Sequence, residues 1–226
     1  MTGCALQHLD FDSAIFGRDV LRVVRPDSRR VQAELQEKSG ALMVDAKLSS
    51  ACFDQIAAFE RLGFRRVATL ITLEASPLSE PPEDIPDRSL QLSDNDLKHH
   101  AEGFVFQRFR QDSMIDSELA KEFMRLWITN SLAGRRETLA RGSNFCTYCV
   151  TDQTLVIDLL SVIEPGRGIA GQLLQAIRSE GAARSATRVR VTTEAENSRA
   201  LHSYVNAGFV PVMSETALHL VRDDAG

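Results

Sequence analysis

The sequence predicts an α/β fold carried by two unequal parts. Three observations lead there. Apolar runs of strand length alternate with segments of helical periodicity. Four of the seven prolines, Pro77, Pro81, Pro82 and Pro86, crowd one short stretch that also holds Glu80, Glu83, Asp84 and Asp87, a composition that favours extended, solvated backbone. A glycine-rich turn joins an apolar strand directly to a helix late in the chain. The expected organisation is an N-terminal α/β domain over 1–76, a proline-rich linker over 77–86 and a second domain over 87–226.

Each element has a local reason. Val20 to Val24 reads as a strand and Val31 to Lys38 as a short helix stopped by Ser39-Gly40. Ala41 to Ala46 is a strand. Phe53, Ile56, Ala57 and Leu62 recur at helical spacing until Gly63, and Val67 to Leu73 is a further strand. Beyond the linker, Ser93-Asp94-Asn95-Asp96 is a start signal for a helix running through His99-His100 toward Phe106. A helix from about Ser117 carries Leu119, Phe123, Leu126 and Trp127 on one face. Asn144 to Val150 and Thr154 to Val162 are strands around Asp152-Gln153. A helix over Leu173, Leu174 and Ile177 follows, then a strand from Thr187 to Thr193, a helix from Ser198 to Val205 and a last strand from Thr216 to Val221.

Composition excludes several classes. The 226 residues, 43% hydrophobic and 25% charged, exclude a disordered chain, a collagen-like fibre and a coiled coil. A net charge of −5 argues against nucleic acid as the partner. No run reaches the ~18 apolar residues of a membrane span. Neither a signal peptide nor, ahead of Cys4, a lipoprotein leader is recognisable, so the expected compartment is the cytoplasm. Cys146-Thr147-Tyr148-Cys149 has C-x-x-C spacing but lies in a strand-prone run without a second pair. No metal is expected.

The chemistry concentrates between Thr154 and Phe209. The apolar run Leu155 to Val162 enters Glu164-Pro165-Gly166-Arg167-Gly168-Ile169-Ala170-Gly171, which opens a helix. Such a turn presents backbone N–H groups at a helix N-terminus, a setting suited to a pyrophosphate; a glycine turn without ligand is the alternative. No Gly-Lys-Ser/Thr follows, which excludes a nucleotide-hydrolase loop. Gly166, Gly168 and Gly171 spell G-x-G-x-x-G; the turn comes late for a dinucleotide-binding unit, but Glu194 and Glu196 after the next strand keep a dinucleotide open as the weaker alternative. From Gly166 to Ala200 six arginines face three glutamates, an excess of positive charge that would attract phosphates unless those arginines form a solvated face. Asn197 then caps a helix bearing Ala200, Leu201 and Tyr204, closed by Gly208-Phe209.

The spans Val44–Phe64 and Val189–Phe209 are equal in length and share the order strand, helix, Gly-Phe, strand. Phe59 stands where Tyr204 stands. The likeness is open between a common connection and a degenerate copy that lacks the tyrosine hydroxyl.

These two constellations resemble the GNAT superfamily of acyl-CoA-dependent N-acyltransferases, whose pattern runs Q/R-x-x-G-x-G/A at a helix start and then N-x-x-A-x-x-x-Y-x-x-x-G-F. Gly168 and Ala170 fill the small positions, Pro165 replaces the first Gln or Arg, and Asn197, Ala200, Tyr204 and Gly208-Phe209 match throughout. The resemblance implies a GNAT fold, a degenerate half being one of the two open readings of the N-terminal part, and acetyl-CoA as donor. It implies that Leu160, Ser161 and Val162 hold the pantetheine, with Asn197, and that Gly166, Arg167, Gly168, Ile169, Ala170 and Gly171 hold the pyrophosphate. Tyr204 is implied as the acid for the leaving thiolate. The resemblance also implies direct attack, without Cys146 or Cys149 as nucleophile.

Leu9 to Gly17, Phe104 to Phe109, Phe123 to Ser131 and Thr216 to Leu220 are similar to acetyltransferases of TDP-linked 4-amino-4,6-dideoxy sugars such as TDP-fucosamine. That resemblance implies a nucleotide aminosugar acceptor, a role in polysaccharide biosynthesis, and Arg108, Phe109, Trp127 and Asn130 on the acceptor side. Asp158 and His219 are the base candidates, and a homodimer is one assembly it allows. Another amine acceptor (a peptide N-terminus, a polyamine, an antibiotic) and a non-catalytic acyl-CoA sensor stay open as alternatives.

Overall fold

The computed structural model describes residues 4–80, 86–163 and 166–223. The elements are β1 (Leu6–His8), α1 (Asp10–Phe16), β2 (Asp19–Val23), α2 (Ser28–Gln36), β3 (Leu42–Ser49), α3 (Phe53–Arg61) and β4 (Arg65–Ala75). They continue with α4 (Asp94–Gly103), α5 (Arg108–Gln111), α6 (Ser117–Asn130), β5 (Glu137–Arg141), β6 (Asn144–Thr151) and β7 (Thr154–Ser161). The last are α7 (Ile169–Ala183), β8 (Arg188–Glu194), α8 (Ser198–Asn206) and β9 (Val210–Arg222). Residues 81–85 of the expected 77–86 linker lie outside the described residues, as do Glu164 and Pro165.

The chain forms two compact units. The first gathers 1–70, 107–123 and 214–226, and the second 71–106 and 124–213. The first is therefore discontinuous in sequence. Its strands run in the order β1-β2-β3-β9. Two later segments return to it because β9 pairs antiparallel with the whole of β3, from Leu42↔Arg222 to Ser49↔Glu215, and because Phe109 and Phe123 pack on Phe16 at ring distances of 5.1 and 5.7 Å. Its apolar core includes Val31, Leu35, Val44, Ile56, Phe59, Phe64 and Leu218. Each such side chain contributes about 1.5–3 kcal/mol by leaving water.

The second unit orders its strands β4-β8-β7-β6-β5. Leu73, Tyr148, Ile157, Leu173, Ile177, Val189 and Phe209 share its core. Side-chain caps start the helices where polar residues precede apolar periodicity. Asp27 accepts from the Arg29 and Arg30 N–H groups, Ser93 from Asp96 N–H and Asn197 from Ala200 N–H. α4 stops at Gly103, short of Phe106, and a separate turn of helix, α5, follows.

The two equal-length spans fold alike. α3 ends before Gly63 at φ +95° and α8 before Gly208 at φ +84°, the left-handed stop that glycine adopts without strain. Phe59 packs on Phe64 at 5.1 Å and Tyr204 on Phe209 at 5.8 Å.

Candidate active site

The site lies in the second unit, where β7, the start of α7 and α8 meet the solvent. β7 pairs in parallel with β8 from Thr154↔Arg188 to Val156↔Arg190. Among the described residues that pairing goes no further, although β7 runs on to Ser161 and β8 to Glu194. The backbone groups of β7 that would have faced β8 are thus left for another partner. The departure has a local cause. On the other side of β7, Thr147 pairs with Leu159 and Tyr148 with Ile157, so Asp158 is an extra residue, a β-bulge, which bends and twists the strand carrying it.

Leu160, Ser161 and Val162 follow the bulge and keep partial exposure. After the undescribed Glu164 and Pro165, Gly166 and Gly168 take φ +93° and +72°. Gly168 is the N-cap of α7 and has no side chain to offer. The first turn closes when Gln172 N–H donates to Gly168 O at 3.1 Å, so the N–H groups of Ile169, Ala170 and Gly171 have no acceptor within the helix. A Cβ added at Gly166, Gly168 or Gly171 would meet nothing within 4 Å. Open space, outward N–H groups and the positive helix end fit a phosphate-bearing ligand.

α8 supplies the third side. Asn197 spends its Oδ1 on the cap and donates from Nδ2 to Thr193 Oγ1 at 3.3 Å, leaving one amide hydrogen over. Tyr204 is buried. Burial, and then the neighbourhood of Cys146 and Glu194, push its phenol above the ordinary value, so the hydroxyl stays protonated and able to donate. The helix end is held by Arg178 of α7, which donates to Ala207 O at 2.7 Å and Ser76 O at 2.9 Å. A side chain at Gly208 would press on that guanidinium at 3.0 Å.

Arg178 also bears on the expected field of positive charge. Arg184 pairs with Glu180 and Glu137, and Arg188 and Arg190 pair with Glu74. Three of the six arginines are thus engaged by acids, Glu180 within the segment and Glu74 and Glu137 outside it, and Arg178 by carbonyls, so a candidate anion site here rests on backbone N–H groups more than on side-chain charge.

The acceptor-side residues divide. Trp127 Nε1 donates to Asp158 Oδ2 at 3.0 Å, and Arg136 approaches the same oxygen at 3.4 Å. Asn130 ends α6, half-buried. Arg108 and Phe109 belong to the first unit. Arg108 pairs with Asp45 at 3.3 Å and lies over the Phe109 ring at 4.4 Å. Phe109 is wholly buried among Phe16, Phe123 and His219, so it is a core ring with no surface to offer an acceptor. His219 is equally sealed, bound to Asp112. Cys146 is buried, and burial raises its thiol far above the ordinary range.

No family model matches the sequence, and no curated protein matches it. Solved structures do. A GCN5-related N-acetyltransferase from Sphaerobacter thermophilus superposes with a TM-score of 0.56 at 16% identity, covering 96% of this chain and 76% of its own. A GCN5-related N-acetyltransferase from Kribbella flavida gives 0.55 at 14% identity over 100% and 89%. A functionally unknown conserved protein from Staphylococcus epidermidis gives 0.59 at 16% over 97% and 92%. The chain has the GNAT fold. The GNAT fold expected from Gly168, Ala170 and the Asn197–Phe209 pattern is therefore present, although Pro165 stands where the pattern has Gln or Arg.

One pair in this GNAT fold escaped sequence reasoning. His100 of α4 is buried and lies 2.7 Å from Ser161 Oγ. Sixty-one positions separate them, and the sequence signal is no more than the adjacent pair His99-His100 on a mostly polar helix.

Proposed function

We propose that this chain is an acetyl-CoA-dependent N-acetyltransferase whose acceptor is the amine of a nucleotide-linked 4-amino-4,6-dideoxy sugar. The observation that carries the donor half is that a strand end left unpaired by β8, a glycine-lined helix start and the buried Tyr204 belong to one unit, with Leu160, Ile169 and Tyr204 packed on one apolar core. Support for the acceptor half is the sequence likeness of Leu9–Gly17, Phe104–Phe109, Phe123–Ser131 and Thr216–Leu220.

Acetyl-CoA, when bound, supplies the acyl thioester. In this reading the free backbone groups of Leu160, Ser161 and Val162 bind the pantetheine amides and orient the thioester carbonyl. An N–H aimed at the developing oxyanion is worth about 10²–10³ in rate. The N–H groups from Gly166 to Gly171, with Arg167, bind the pyrophosphate, and the spare Asn197 amide hydrogen binds the pantetheine arm. Tyr204 holds a proton for the departing thiolate; its raised pKa keeps that proton in place at neutral pH. Trp127, Asn130 and Arg108 are the remaining acceptor-side candidates. A cytoplasmic location suits this donor.

Calorimetry on the full chain with acetyl-CoA tests the first half. Thiol release with TDP-4-amino-4,6-dideoxygalactose, set against a polyamine and a peptide N-terminus, tests the second. Preference for the sugar supports the proposal, and faster release with either competitor overturns its acceptor half. Binding without release from any of them would leave a sensor.

A further inference from the structure

The hydrogen bonds around His100 fix its tautomer. Nε2 lies 2.8 Å from the carbonyl oxygen of Ser143, which can only accept, so Nε2 carries the hydrogen. Nδ1 is then the bare nitrogen, and the 2.7 Å contact with Ser161 requires the serine hydroxyl to donate to it. This is the arrangement in which an imidazole draws a proton from a hydroxyl while a carbonyl steadies its far side. His100 is buried against Phe145, with ring centres 4.9 Å apart, whereas Ser161 keeps partial exposure at the end of β7.

Desolvation, partly opposed by the Ser143 carbonyl and Asp96 and reinforced by His99, lowers the His100 pKa, so the ring is neutral near pH 7. Asp96 and His99 belong to its own helix. The packed elements bring Ser143, Phe145 and Ser161 toward it, none of which is ionised. Neither base candidate from the sequence is so disposed, because Asp158 is engaged by Trp127 and Arg136, and His219 is sealed in the other unit.

We propose that Ser161 and His100 form the proton relay of the acetyl transfer, with Ser161 Oγ taking the proton from the attacking nitrogen as its own proton passes to His100 Nδ1. The inference rests on the reading of the site as an acetyltransferase. The acceptor N–H bond breaks, the C–N bond forms and the C–S bond breaks. The thiolate takes the Tyr204 proton. The imidazolium of His100 then loses its proton to solvent, and Tyr204 regains one from solvent. Ser161 is the catalytic residue of the pair; His100 acts through it, as a positioning residue and proton store.

The test uses the full chain, Ser161→Ala and His100→Gln. Gln retains a donor for the Ser143 carbonyl but has no titrating nitrogen. Acetyl-CoA binding is measured by calorimetry. Thiol release is measured across pH 5–9 with TDP-4-amino-4,6-dideoxygalactose and with no acceptor, where water attacks. Both variants are expected to bind acetyl-CoA like the wild type and to release thiol about 10²-fold more slowly. Both lose the limb by which wild-type kcat/KM rises with pH below about 6.5, a change that a merely structural role for His100 would not make. Nitrogen-15 spectra of the wild type should show hydrogen on His100 Nε2. Wild-type rates and pH profile in Ser161→Ala, or hydrogen on Nδ1, overturn the relay while leaving the acetyltransferase reading intact. Acetyl-CoA binding without any thiol release also overturns the relay. Failure of the wild type to bind acetyl-CoA overturns both.

Discussion

Nδ1 of His219 lies 2.9 Å from Oδ2 of Asp112, and both side chains are sealed from solvent. The other ring nitrogen faces Asp45 Oδ1 at 3.8 Å, Asp45 being the register partner of His219 on β3. Arg65 closes on Asp112 at 2.7 Å, while Arg22 and Arg108 close on Asp45 at 3.1 and 3.3 Å. Buried charges survive only when compensated, and this row ties β2, β3, β9 and the segment after α5 together inside the first unit.

The row sets an acid limit on stability. Burial alone would raise the Asp45 carboxyl; Arg108, Arg22 and then His219 outweigh it and hold it at about 2. For Asp112, burial is likewise overcome by the His219 and Met114 hydrogen bonds and by Arg65, again to about 2. A depressed carboxylate stabilises fully above its unfolded value near 4 and loses that contribution as pH falls toward 2. Asp112→Asn should cost about 2 kcal/mol at pH 7 and flatten the fall in Tm between pH 5 and pH 2. Thermal melts by circular dichroism decide it; an unchanged acid slope would count against the ion row.

Tyr204→Phe removes one oxygen from a buried ring that packs on Phe209. Acetyl-CoA binding should survive, with thiol release falling by about 10²–10⁴-fold. Because the phenol sits above its ordinary value, the wild type should show no alkaline loss assignable to it below pH 10. Full turnover in the variant would remove Tyr204 from the acid role.

Two glycines a few residues apart should respond with opposite signs. Gly168→Ala forces a side chain onto φ +72° and should cost about 1–2 kcal/mol, with weaker acetyl-CoA binding. Gly171 lies within α7 at ordinary φ with open space beside it, so Gly171→Ala should stabilise the free chain by about 0.5–1 kcal/mol. Denaturant titrations of both variants check the pair.

Glu180 is a hub of the second unit. It accepts from Arg88 at 2.8 and 3.2 Å, from Arg184 at 2.8 Å and from the Tyr148 hydroxyl at 2.9 Å. Arg88 leads the influences that bring its carboxyl down to about 2. Glu180→Ala should cost about 1–2 kcal/mol, chiefly because the Tyr148 hydroxyl loses its nearer acceptor, while water can take over the exposed Arg88 and Arg184 guanidinium groups. A double-mutant cycle with Arg88→Ala should return a coupling above about 0.5 kcal/mol.

What could be read in the sequence was local. The Asn197 cap, the Tyr204 face, the Gly208 stop and the Gly166–Gly168 turn each depend on neighbours a few positions away. β1, α1, β5 and α5 are short and weakly patterned, and the sequence did not announce them. The return of 107–123 and 214–226 to the first unit depends on strand and ring partners more than ninety positions distant. Arg178 reads as a phosphate-seeking charge, yet it serves a carbonyl 29 positions along the chain. Phe109 is an acceptor contact only by the resemblance of Phe104–Phe109, and a sequence likeness cannot distinguish a core aromatic from an exposed one.

The bulge at Asp158 makes the site a matter of residue count. Replacing Asp158 by another side chain leaves one residue too many in β7, and the strand still bends away from β8. Deleting it would match the paired stretch Thr154–Ser161 residue for residue to Phe145–Thr151, straighten the strand and allow its ladder with β8 to continue beyond Val156. Substitution scans along β7 would therefore leave this slot untouched, whereas a single-codon deletion would close it. Lineages of such a fold are expected to diverge freely in the identity of this residue while conserving the length of the strand.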